Sequence, residues 1–248
     1  MSLTRTALRL CAVRALRGAT WCGDAVHDSQ QAAIEDADPN APAPYLVVYT
    51  DTFTSSPGSR GLYAGGEQEL IIEITLTPRM EVQHQVVGED ADGNPVTEPR
   101  DVWLDVLTDP AMEATVEAIE RQVRAALMAP GNDWAALFQS FVNGVPSYTS
   151  HRGASQREGL RFVGRQLVLK CDTAVEPAPG DQLAMSSGVR WGMFLAALRG
   201  TADPKLIQLA GIMEAELRGD PTWTPTAQTR ANWGLTAAEA RALLMGEA

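Results

Sequence analysis

Two short stretches hold the residue types that hydrolytic chemistry uses. "GDAVHDS" brings Asp24, His27, Asp28 and Ser29 together. A nucleophilic serine needs a base within hydrogen-bond reach and a carboxylate behind that base. The segment reads as a short strand, however, and adjacent strand residues point to opposite faces, so these groups cannot converge on one bond. They read as polar residues at a strand edge. "SHRG" offers Ser150, His151 and Arg152 on a polar connection, and no motif sets a carboxylate beside them. With Arg157 and Arg161 the stretch could receive a phosphate. The plainer expectation is a solvated connection or a subunit contact.

Metal and cofactor chemistry find less. Asp90, Asp92 and Asn94 alternate as at the start of a calcium loop. The sixth loop position, which needs glycine, is Pro95, and the twelfth is Asp101 where a bidentate glutamate belongs. A solvated acidic turn is the expectation. Cys11, Cys22 and Cys171 have no metal-site spacing and read as free thiols of a reducing compartment. His27, His84 and His151 form no pair at helical spacing, so no zinc site can be drawn. Neither a P-loop nor a GxGxxG after a strand occurs. No catalytic residue, cofactor site or metal site is therefore assigned, and the chain reads as a non-enzyme.

The whole composition points the same way. In 248 residues, 45% are hydrophobic, enough to bury a core of useful size. The formal charge of −11 repels phosphate, which disfavours tight nucleic-acid binding and anionic membrane surfaces. It does not forbid a lumen through which nucleic acid slides. No stretch is apolar enough for a membrane span. Arg5, Arg9, Arg14 and Arg17 interrupt the first apolar run, so a retained structural helix is expected there in place of a secretory signal.

The elements follow from periodicity and punctuation. Residues 4–17 read as a helix capped by Thr4 and stopped by Gly18. Its apolar surface is wide: Leu8, Ala12, Ala15 and Leu16 on one side, and Leu3, Ala7, Leu10 and Cys11 on another. Such a surface suits either contact with two neighbours, a sheet and a second subunit, or a plain core helix with some alanine exposed. A short strand at 25–29 and a Pro-rich acidic loop at 30–44 come next. Tyr45–Tyr49 reads as a strand covered on both faces. Residues 51–66 are a Gly/Ser-rich loop. Leu70, Ile72, Ile74 and Leu76 then alternate with Ile71, Glu73, Thr75 and Thr77, the clearest period of two in the chain. "MEVQHQVV" and "PVTEP" flank "GEDADGN" as a hairpin would. Asp109-Pro110 opens a helix striped by Val116, Ile119, Val123 and Leu127. A second helix runs from Asp133 to Gly144 with Trp134, Leu137, Phe138, Phe141 and Val142 on one face. Residues 145–159 read as a polar connection, and 160–172 as a strand in which Gly164 marks a bulge or a close approach.

After residue 180 the pattern becomes helical. Val189, Trp191, Phe194, Leu195 and Leu198 stripe one helix; Asp203-Pro204 opens another that Gly219 stops. Trp223 and Trp233 lie in an irregular stretch, and Thr236 to Glu239 form a capping box. The fold class expected is α+β: a mostly antiparallel sheet with helices packed on one face, over residues 1–180, followed by a helical extension over 181–248. The extension either packs on its own subunit and enlarges the domain or, given Trp191, Phe194, Trp223 and Trp233 with few obvious partners, latches onto a neighbouring subunit.

The order of small motifs resembles the tail terminator proteins of lambda-type long-tailed bacteriophages. Those begin with an "LR.AV..AL" helix, matched by Leu8-Arg9, Ala12-Val13 and Ala15-Leu16. A "VFD"-like strand is matched by Val26-His27-Asp28, and a proline followed by a "VVYL"-like strand by Pro44 and Val47 to Thr50. The long "LHIEVFLP"-type strand is matched by "LIIEITLTP" from Leu70 to Pro78. A helical pair at 110–143, Tyr148 and a strand at 160–173 complete the order. The resemblance covers about residues 3–175. This chain departs from it by an insert at about 80–101 and by the C-terminal extension.

The resemblance implies a small α+β domain that closes into a hexameric ring. Such a ring stops tail-tube growth and joins the tube to the head-side connector or neck protein. DNA would pass through its lumen without specific binding, and the protein would belong to the virion, assembled in the host cytoplasm without a membrane. Arg9 and Arg17 become candidates for meeting acids on the next subunit, with Leu10 beside them. Phe53, Arg60, Tyr63, Tyr148, His151 and Arg152, in the stretches 51–66 and 145–159, become candidates for touching the tube or the neck. A different head–tail joining protein is the alternative, and an unrelated small-molecule enzyme a more distant one.

Overall fold

The computed structural model describes residues 2–29, 44–55, 65–76, 79–89, 95–104, 109–157, 160–181, 186 and 188–219. Two compact units divide the chain, Met1–Val175 and Glu176–Ala248.

The first unit is built on one five-stranded sheet. Its strands are β1 (Val26–Asp28), β2 (Tyr45–Thr54), β3 (Glu67–Leu76), β6 (Val142–Arg157) and β7 (Leu160–Thr173), in the order β1-β2-β3-β7-β6. Only the β1–β2 pairing is parallel; the other three are antiparallel. The fold is thus α+β with a mostly antiparallel sheet. β4 (Arg79–Glu89) and β5 (Pro95–Leu104) form a separate two-stranded hairpin, with a register shift between Val86 and Gly88. The turn of the calcium-like motif, 90–94, lies outside the described residues.

Register explains which side chains share a face. Leu46 and Val48 of β2 lie opposite Ile74 and Ile72 of β3, and Ile72 and Leu70 lie opposite Leu167 and Leu169 of β7. All seven are buried, most of them completely. Helices α1 (Leu3–Leu16), α2 (Asp109–Leu127) and α3 (Asp133–Phe141) cover this face. Polar ties place them there: Arg5 Nε donates to Gln68 Oε1 at 3.2 Å, and Arg165 NH1 donates to Glu120 Oε2 at 3.1 Å. The α2 stripe Val116, Ile119, Val123 and Leu127 is fully buried.

α1 is covered on both of its apolar sides. Its second neighbour is the α2–α3 pair of its own chain, which makes it the core helix of the two expectations; Asn132 Nδ2, for instance, donates to Ala15 O at 3.3 Å. The cap is Ser2, whose Oγ accepts from Arg5 N, while Thr4 lies inside the first turn. Gly18 follows the helix at φ 68°, as its stop requires.

Two departures concern polar sequence. Residues 145–157 are strand, where a connection was expected, and α3 runs straight into them at Val142. Gly164 pairs in register with both Thr75 and Gly153; the irregularities lie instead between Val142, Gly144 and Ser147.

In the second unit, α4 (Arg190–Arg199) and α5 (Pro204–Arg218) pack on each other through Trp191, Phe194, Leu195, Leu198, Met213 and Leu217. Asp203 caps α5 by accepting from Lys205 N, and Gly219 ends it at φ 64°. No helix among the described residues is long and apolar enough to cross a membrane.

Candidate functional site

The densest polar cluster sits where α2 crosses β6 and β7. Antiparallel register aligns Tyr148 with Leu169, Ser150 with Leu167 and Arg152 with Arg165, so all point toward α2. Glu113, Glu117 and Glu120, on one side of α2, meet them. Glu120 accepts from Tyr148 Oη at 2.5 Å, from Ser150 Oγ at 3.1 Å and from Arg165 NH1 at 3.1 Å. Arg165 also pairs with Glu113 and lies 3.9 Å from Glu117. Arg152 Nε reaches Glu113 Oε2 at 3.4 Å, and the Arg124 guanidinium stacks 5.5 Å from the centre of the Tyr148 ring.

The electrostatics are those of a joint. Burial pushes the Glu120 carboxyl up, but donation from Tyr148, Arg165 and Ser150, with the Arg165 charge, leaves it below the usual carboxylate range. Tyr148 is raised by burial and by donating to Glu120. Burial lowers Arg165, and the bond to Glu120 and the charges of its three carboxylates raise it further than that. Glu113, Glu117 and Glu120 of α2 face Arg165 of β7, Arg152 of β6 adds a second contact to Glu113, and Arg124 pairs within α2 to Glu120. Such a set fixes α2 on the sheet, because moving either element leaves a buried charge unpaired.

This geometry corrects the reading of "SHRG". Carboxylates do stand beside Ser150 and Arg152, supplied by Glu120 and Glu113 of α2 far upstream in sequence, and no local motif could announce them. His151 points to the opposite face and is exposed. Tyr148 is half-buried and engaged with Glu120, and Arg152 is exposed but paired with Glu113. Phe53, expected in a loop, lies in β2, where it pairs with Gln68 just past a register shift and is 41% exposed. Arg60 and Tyr63 lie outside the described residues.

The "GDAVHDS" groups separate as the alternation of a strand predicts. His27 meets the Tyr45 ring edge-on, with centroids 6.0 Å apart. Asp28 faces the helices and pairs with Arg9 Nε at 2.5 Å; Ser29 Oγ donates to Asp28 Oδ1. Arg17 donates from Nε and NH2 to Val26 O at 3.2 and 3.0 Å. Both arginines proposed for a neighbour's acids therefore grip β1 of their own chain. Leu10, Trp191 and Phe194 are buried. Trp223 and Trp233 lie outside the described residues.

The other face of the sheet carries a smaller network. Tyr49 Oη and Gln166 Nε2 both donate to Glu73 Oε1, at 2.6 and 2.9 Å. Burial and the Glu73 carboxylate raise the Tyr49 hydroxyl above its ordinary value. At one end of the sheet Glu67, Gly144, Val145, Pro146 and Asp172 line an open depression of about 550 Å³. No group of three or more potential metal ligands occurs among the described residues. The thiols are buried: Cys171 is pushed up to about 12 and Cys22 to about 11, chiefly by desolvation.

No protein-family model matches the chain, and no curated protein matches it.

Proposed function

We propose that the chain is a structural virion protein, a tail terminator that closes into a hexameric ring, caps the tail tube and joins it to the head-side connector. One observation carries this reading. The segments that hold the resemblance are the ones that make the sheet and its helix layer: α1, β1, β2, β3, the α2–α3 pair and β7. The motif order thus corresponds to a single layered unit of the α+β kind that a ring subunit needs. The titratable groups at its centre are spent on joining helices to sheet, a use suited to a rigid building block. A charge of −11 lets DNA pass a lumen without adhering. Such a subunit would be assembled in the host cytoplasm and carried in the tail or neck.

A head-to-tail ring closes by rotation, with one patch meeting a different patch on the next copy. Covering the tube end then removes the template for further tube rings. Light scattering on the eluting full-length protein should give a ring mass, with a concentration-dependent shift toward the single chain. Virions made without the protein should carry overlong tails. Filled heads beside free tails of normal length would transfer the assignment to another head–tail joining protein.

A further inference from the structure

The sheet ends on two very unequal edges. β1 has three residues; β6 has sixteen. The outer side of β6 has no strand partner among the described residues. Its first part is protected: Pro146 has no N–H, and the register is irregular between Val142, Gly144 and Ser147. From Ser147 to Arg157 those defences stop. Eleven consecutive residues pair with β7 without a shift, and none is proline, lysine or an acid. Natural sheets seldom leave so long a regular edge bare, because it is a template for another strand.

The same unit carries a second incomplete structure. The β4–β5 hairpin is a sheet of two strands, joined to no third among the described residues. Two strands alone are marginal in water, so this hairpin gains most from a third. β5 is a poor receiving edge, since Pro95 and Pro99 lack amide donors. β4 has eleven residues and no proline, and it is regular from Arg79 to Val86. The charges suit a union: β4 and β5 carry Glu81, Glu89, Glu98 and Asp101 against Arg79 and Arg100, whereas Ser147 to Arg157 carries Arg152 and Arg157 with no acid.

We infer that β4 of one copy adds to the bare edge of β6 in the next, so that the hairpin is the arm by which successive subunits join into one continuous sheet. Main-chain hydrogen bonds supply the affinity in such strand addition, which suits an edge in which small and polar residues predominate. One edge donating and a different edge receiving is the heterologous contact that a ring requires. The inference rests on the ring reading and names its joint. It also gives the residues 80–101, which the resemblance leaves over, a role peculiar to this chain.

The test uses full-length chains. His151→Cys and Gln85→Cys variants are mixed with a short bis-maleimide; the three native thiols are buried and react slowly. A cross-linked pair is expected in the mixture and not in either variant alone, and a Phe53→Cys control should not join Gln85→Cys. In parallel, replacing 79–104 by a short Gly-Ser linker should leave a folded single chain by circular dichroism, with the ring mass lost. If wild type forms rings while the linker variant still does so and no 85–151 pair forms, strand addition between copies is wrong and the ring reading stands. A double variant that cross-links within one chain at high dilution would also overturn it, since the hairpin would then sit on its own β6. Wild type that stays a single chain at every concentration removes the ring reading and this joint together.

Discussion

Glu120→Gln removes the charge on which α2, β6 and β7 meet, and it leaves part of the Arg165 charge uncompensated in a site where Glu120 is only 8% exposed. A loss of about 2–4 kcal/mol at neutral pH is expected from urea unfolding. Acid should mimic it. The Glu120 carboxyl is held below its ordinary value in the folded chain, so its contribution is complete above the usual carboxylate range and disappears as pH falls through the depressed value. The variant should therefore show a flatter stability profile below about pH 4.5 than wild type. Base acts through the two tyrosines. Tyr49 and Tyr148 are raised above their ordinary value by burial and by carboxylate partners, so their contribution is full below about pH 10 and is lost at higher pH. Phenolate absorbance should show ionisation that folding delays, and a Tyr49→Phe, Tyr148→Phe double variant should lack that delayed step.

At the scale of elements, α1 is strapped to β1 by Arg9 and Arg17. Reversing Arg9 to Glu sets a carboxylate against Asp28, and chemical unfolding should show a loss of stability in the single chain whatever its state of assembly. A drop in ring mass with unchanged single-chain stability would return Arg9 to the subunit contact. β3 is tied to β7 through Gly65 and Gly66. A Cβ on Gly65 would lie 2.3 Å from Thr173 O, so Gly65→Ala should cost about 1–3 kcal/mol, read as a lowered urea midpoint. Much of this architecture was legible in the sequence where burial and punctuation agree. The Val116 to Leu127 stripe, the period of two in β3, and the Asp203-Pro204 start and Gly219 stop of α5 all stand as read. β6 was not legible, because its helix-facing residues are Tyr148, Ser150 and Arg152 and what covers them is a row of glutamates on another element. A strand whose inward face is polar has no hydrophobic alternation to betray it. The same holds for the candidate site: the arginines at 9 and 17 were noticed, but their partners, Asp28 and a backbone carbonyl, are set by tertiary register.

At the scale of the molecule, Met1–Val175 contains the sheet, its three helices and both polar networks. A chain stopped after Val175 should therefore keep its strand and helix signals and unfold cooperatively, as followed by circular dichroism. Trp191 and Phe194 are buried with their rings edge-on, centroids 6.4 Å apart, and whether the extension latches onto a neighbour is a question of assembly. Light scattering on the shortened chain reads this directly: an unchanged ring mass would confine the extension to its own unit, and a lost ring would make it part of the joint.

The strand order has a consequence for synthesis. β3 is the middle of the sheet, yet its second neighbour, β7, is reached only near Thr173. While the ribosome makes the hairpin, α2 and α3, the nascent chain holds β2 and β3 with one flank of β3 open. The last pairing to close is thus also the longest in sequence, and slow codons or a chaperone acting before residue 173 emerges would govern the yield of native protein.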